Sequence, residues 1–148
     1  MQTRNFCGAK YGFLVLMILM APVLTPAENG RDFAGFYDTS NIADLGDQIG
    51  MTFTLEVFNF SGGNVAEATI RLENPSQPGT AYGLFTPVSI TYRDSVRVSA
   101  SFTVPQSEYD SWRQGKDPTL RISFHDPAGN VLERPIEVGW MHLPQEVN

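Results

Sequence analysis

Few residues of this 148-residue chain could carry chemistry. His125 stands beside Asp126 in "SFHDP", and an imidazole oriented by a carboxylate can act as a general base. No G-x-S-x-G elbow or usable cysteine accompanies the pair, and adjacent strand residues point to opposite faces. The pair therefore reads as structural. The second histidine, His142, is far along the chain, and two distant histidines fall short of the three or four nitrogen or sulfur ligands that zinc needs. Asp38, Asp44 and Asp47 share one irregular stretch and could offer loop carboxylates to Ca²⁺. Their spacing matches no calcium loop, and Asp in such a stretch ordinarily caps turns. In "SGGN" (61–64) the glycines lead into a strand with no lysine near, so they turn the chain rather than cradle a phosphate. No catalytic, metal or cofactor-binding residue is expected.

Contact, not catalysis, is where the remaining candidates point. Arg71, Arg97 and Arg121, with Arg134, alternate outward on strand-like segments. If Arg71 and Arg121 fall on neighbouring strands they form a small positive stripe able to meet a carboxylate or an acidic glycan. The other outcome is cross-strand pairing with Glu56, Glu73, Glu133 or Glu137. Phe58, followed by Phe60, is out of step with the buried set of its strand, while Phe33, Phe36, Tyr37, Tyr82 and Phe85 occupy weakly patterned segments. Clustered on the surface, such rings would mark a partner site; folded over the ends, they complete the core. Phe58, Arg71, Arg97 and Arg121 are taken as the candidate partner surface. "NFS" at Asn59 also matches a glycosylation acceptor.

The elements that would hold these residues follow from period and punctuation. Arg4 and Lys10 precede the apolar run Phe13–Leu24, and "TPA" follows. That is the pattern of a secretory signal peptide, residues 1–27, cleaved after Ala27. The apolar run's 12 residues are short of the roughly 20 that a membrane span requires. The single cysteine, Cys7, leaves with it, so the mature chain has no disulfide and depends on its core. Eight basic residues then face sixteen acidic ones, a formal charge of −8, which argues against nucleic acid and anionic membranes as partners.

Residues 28–47 read as an irregular leading segment with one short edge strand near 33–38. From 48 to 140 period two is plain: Ile49, Met51, Phe53, Leu55 and Val57; Ala68, Ile70 and Leu72; Val96 to Val104; Leu120, Ile122 and Phe124; Ile136, Val138 and Trp140. "LFTPVSITY" is a weaker strand interrupted by Pro87. Pro135 should put the last strand at an edge or on a bulge. "DPAGN" is a tight turn. Near residues 107–114 a short helical turn is expected, capped by Ser107 and closed by Gly115, with Tyr109 and Trp112 lidding the core. Residues 141–148 are a tail, where Trp140, Met141 and Leu143 either complete the strand or dock elsewhere. About seven half-buried strands at ten-residue spacing predict an all-β protein, a single antiparallel β-sandwich.

Within that frame, "LEVFNFSGGNVAEATIRLENP" resembles the early strands of bacterial immunoglobulin-like and fibronectin type III-like exported domains, in particular the CARDB type. Val57, Asn59, Ser61, Gly62, Ala68, Ile70 and Leu72 occupy the places of an apolar strand, its closing Asn, a small-Gly turn and the next strand. "RDSVRVSASFTVP" is similar to a later strand of the same domains, and the likeness runs over about residues 48–138. It implies an immunoglobulin-like sandwich that spaces, presents or binds. The expected function is a non-catalytic exported module in periplasm or exterior, contacting an envelope protein or glycan. The alternative is a structural subunit that assembles with itself or a larger envelope complex through an edge strand.

Overall fold

The structure, a computed structural model, describes residues 31–141. The candidate signal segment 1–27 with Cys7, and the tail from His142 onward with Leu143, lie outside the described residues. The elements are β1 (Phe33–Asp44), β2 (Gln48–Asn59), β3 (Val65–Glu73), β4 (Ala81–Leu84), β5 (Val88–Ile90), β6 (Ser95–Pro105), α1 (Gln106–Arg113), β7 (Leu120–His125) and β8 (Val131–Trp140). The fold is all-β with one short helix.

Eight strands form one sheet in the order β4-β3-β7-β8-β1-β2-β6, with β5 added to β3. Every pairing is antiparallel except β1 with β8, where Ala34↔Glu137 to Tyr37↔Trp140 run parallel. The sheet curls until β4 and β5 approach β6, giving a nearly barrel-shaped body. The expected single antiparallel sandwich of about seven strands is therefore corrected to one mixed, curled sheet of eight. The cause is β1. Read from sequence as a short edge strand in an irregular segment, it is twelve residues long and pairs on both sides, antiparallel to β2 and parallel to β8. Its inward residues Phe33, Gly35 and Tyr37 do alternate, but Ala34 and Phe36 between them are apolar too, which hides the period. Gly35 has a steric reason: a Cβ there would collide with the Glu56 carbonyl oxygen across the ladder. A bulge between Ser40 and Ala43, with Asn41 at φ 50°, bends the end of the strand.

Three further expectations shift. Pro135 lies in β8, which is no free edge, but the β1 ladder begins only at Glu137, so β1 requires no donor from Pro135. The weak strand is split into β4 and β5, with Pro87 in the gap. Pro105, not Ser107, is the N-cap of α1, and no side chain caps it; Gly115 closes it at φ +98°, donating its N–H to the Trp112 carbonyl.

The core gathers on Phe53. Its ring centroid lies 5.2 Å from Tyr37, 5.9 Å from Trp112, 6.0 Å from Phe85 and 6.1 Å from Phe102, so β1, α1, the β4–β5 link and β6 all meet there. Burying each such side chain contributes about 1.5–3 kcal/mol. Trp112 is fully buried, with Nε1–H donating to the Glu108 carboxylate at 3.0 Å, while half-buried Tyr109 packs edge-on against it. The pair is the lid that the spacing predicted.

Candidate partner-contact face

Period two decides which rings leave the core. Val57 and Asn59 point inward on β2, which turns Phe58 outward; Tyr37 points inward on β1, which turns Phe36 outward. Ala34 faces Phe58 and Phe36 faces Glu56 in the β1–β2 register, so the two rings are diagonal neighbours. They meet edge-on at 6.2 Å. Phe60, two residues beyond Phe58, stacks parallel to it at 6.3 Å and 5°. Phe36 and Phe60 are 50% and 51% exposed, which makes this a surface feature and not an extension of the core. Phe33, Tyr37 and Phe85 are buried and Tyr82 is half-buried, so the weakly patterned rings divide between the two outcomes.

Beneath the row, Asn59 holds the chain. It is fully buried, and its side-chain Nδ2 donates to the carbonyls of Gly63 (2.8 Å) and Ile90 (2.9 Å). Its Oδ1 accepts from the Ser61 N–H and the Ser61 hydroxyl. Every hydrogen-bonding position of the amide is occupied. The "NFS" acceptor is thus closed to glycan attachment in the folded chain, and Gly62, at φ +93°, completes a turn that Asn59 clamps.

The arginines find carboxylates. Arg71 and Arg121 do fall directly opposite each other, on β3 and β7. Both bind Glu73 Oε1, at 3.1 and 3.2 Å, and Arg71 also reaches Glu133 at 3.1 Å. Arg97 pairs with its cross-strand neighbour Glu56 at 3.1 Å, and Arg134 with Asp32 at 3.1 Å. The anticipated positive stripe is therefore a mixed-charge lattice. The four candidate residues separate into two sets. Phe58 and Arg97 share the outer face of β2 and β6, whereas Arg71 and Arg121 share that of β3 and β7. Around the rings the charges are balanced: Arg97 with Glu56, and Arg31 with Glu137 at 2.6 Å.

The remaining candidates stay apart. Asp44 accepts the Gly46 N–H at 2.8 Å as a turn cap, and among the described residues no group of three or more His, Cys, Asp or Glu could hold a metal ion. His125 is exposed. Asp126 is committed to the β7–β8 turn, accepting from the Asn130 side chain and N–H, and those hydrogen bonds hold its carboxyl below the usual 3.8. The "SGGN" turn and this turn, more than sixty residues apart, together line a cleft of about 300 Å³ with Asp32, Phe124 and Arg134. A second, more open groove of about 490 Å³ follows the β1–β8 seam beside Phe36. No local pattern announces either; both depend on which strands become neighbours.

No family model matches this chain, and no curated protein matches it. Among solved structures, a GH20 exo-β-N-acetylglucosaminidase inactive mutant from Vibrio harveyi is similar at a TM-score of 0.42 with 11% identity, over 73% of this chain. The chain spans 18% of the length of that one. Among the described residues no helix is long and apolar enough to cross a membrane.

Proposed function

We propose that this chain is a non-catalytic, exported immunoglobulin-like module of the CARDB type that contacts an envelope protein or glycan through the ring-bearing face of β1 and β2. The observation that carries it is the contiguous row Phe36, Phe58 and Phe60, with Phe36 and Phe60 half exposed and Phe58 half-buried between them. Exposed aromatic clusters with a polar rim are the usual anchors of partner surfaces. The immunoglobulin-like reading rests on the resemblance of residues 48–138 and on strands that turn their apolar rows toward one core. A non-catalytic role is supported by Asp126, which serves its turn and does not orient His125. The basic, apolar and small-residue order of residues 1–27 supports export.

The test is retention of the protein on arrayed glycans and on fractionated envelope proteins. Phe36→Ser and Phe60→Ser should each lower retention by about tenfold while leaving thermal unfolding unmoved, because a half-exposed ring contributes little to the fold. Arg71→Gln should retain full binding. Retention indifferent to both ring variants, or none at all, would overturn the proposal.

A further inference from the structure

We infer that β6 is a self-pairing edge through which two copies of this chain join into one continuous sheet. The strand order ends in β4 on one side and β6 on the other. β4 is guarded: it has four residues, and its pairing with β3 shifts register between Leu72 and Glu73. Short, irregular edges resist strand addition. β6 is approached by β4 and β5 where Gly83 and Phe85 pack on Phe102, but among the described residues no strand pairs with its outer edge. β6 is eleven residues long, its register with β2 is unbroken from Gln48↔Pro105 to Phe58↔Ser95, and among the described residues it pairs with β2 alone. No lysine or proline interrupts Ser95–Val104. The prolines that sequence offers as edge guards sit elsewhere, Pro87 between β4 and β5 and Pro135 within β8.

Side-chain burial points to the same edge. Val96, Val98 and Ala100 face the core side of β6 yet remain half-buried, whereas Phe102 and Val104 further along are buried. A strand laid beside β6 would cover these apolar groups and supply partners for its outer row of backbone N–H and C=O groups.

Charge selects the occupant and its register. Residues opposite each other in an antiparallel pair share a face, so a two-fold axis must pass through a single residue position to keep the apolar side inward. An axis at Arg97 would set that charge against its own copy, and one at Val98 would make the two arginines diagonal neighbours. An axis at Ser99 places Arg97 opposite Ser101 of the partner subunit. It also pairs Ser95 with the partner subunit's Thr103, Val96 with the partner's Phe102 and Val98 with the partner's Ala100. Like charges do not face each other, and β6 contains no carboxylate. The strand is complementary to itself.

Sedimentation velocity of the mature chain, residues 28–148, over a range of concentrations tests this. A reversible dimer is expected. Ser101→Arg should weaken it by about tenfold, because two symmetry-related like-charge pairs appear, and Ser101→Glu should tighten it. Ser101 is exposed in the single chain, so both variants should fold. A monomer at all concentrations, or a dimer that both variants leave unchanged or shift in the same direction, overturns the inference. Neither variant touches the rings, so the result is separate from that of the retention test.

Discussion

On the outer face of β3, β7 and β8 the arginines and glutamates Arg71, Arg121, Glu73 and Glu133 pair with one another; on that of β1 and β2 Phe36, Phe58 and Phe60 pack ring on ring with Phe36 and Phe60 half exposed. Arg71, Arg121, Glu73 and Glu133 form a chain of ion pairs across three strands. Phe36, Phe58 and Phe60 form a row of ring contacts whose outer surfaces are bare. The first face satisfies its charges internally and has little left to offer a partner. The second leaves apolar ring surface in water, and covering it with something apolar is favourable. A charge cluster is thus the weaker indicator of a binding surface when opposite signs alternate across strands.

Three substitutions would break or sharpen this contrast. The largest effect belongs to Asn59, the clamp under the ring row. Asn59→Ala removes four hydrogen bonds and leaves the Gly63 and Ile90 carbonyls without their donor, at a cost of about 2–4 kcal/mol in urea unfolding. If the loss is below about 1 kcal/mol, the ring face does not rest on a rigid turn.

Next comes Tyr37, the inward neighbour of Phe36. Its ring stacks on Phe53, but its hydroxyl is buried with no hydrogen-bond partner among the described residues. Burial, helped by Asp117 and Tyr109, pushes its pKa far above the ordinary 10.0. A folded-state pKa above the unfolded one contributes stability that is present below pH 10 and lost as pH rises through the folded value. Tyr37→Phe should therefore flatten the alkaline loss of stability above pH 10 while leaving neutral-pH stability equal or higher by about 1 kcal/mol. Alkaline unfolding curves that superimpose for the two proteins would show the hydroxyl to be solvated.

The smallest effect is expected on the charged face. Glu73→Gln loosens both Arg71 and Arg121, yet the arginines are about a third exposed and solvent-screened. A loss of about 0.5–1 kcal/mol is expected at low salt, shrinking toward zero at high salt. A larger, salt-independent loss would mean that this face, too, is part of the core's support.

Much of the strand layout could be read from residue types. Ile49 to Val57, Val96 to Val104 and Leu120 to Phe124 alternate against polar neighbours, so their faces follow from the pleat alone. "DPAGN" and "SGGN" turned the chain where their composition said they would, with Gly129 and Gly62 at positive φ. β1 escaped because its outward positions carry Ala34 and Phe36, which erase the polar half of the signal. The candidate site was legible in part. Phe58 stood out as a large apolar residue in the wrong phase with Phe60 close behind it, and Phe36 joined them only once β1 was placed beside β2. Arg71, Arg97 and Arg121 stood out for the right reason, outward position, whereas Arg134 shares the inward phase of Ile136; the neighbours of all four depend on register.

Residue order settles what the chain can do locally: which side chains fall on one face of a strand, where it turns, and which catalytic groups are within reach. Those are short-range matters of dihedral preference and period two. Tertiary pairing settled that β1 bridges both halves, that Glu73 lies between two arginines, and that β6 ends the strand order of the described residues. Each is a contact between residues distant in sequence, governed by competition among many alternative strand neighbours. No property of a single strand contains the answer.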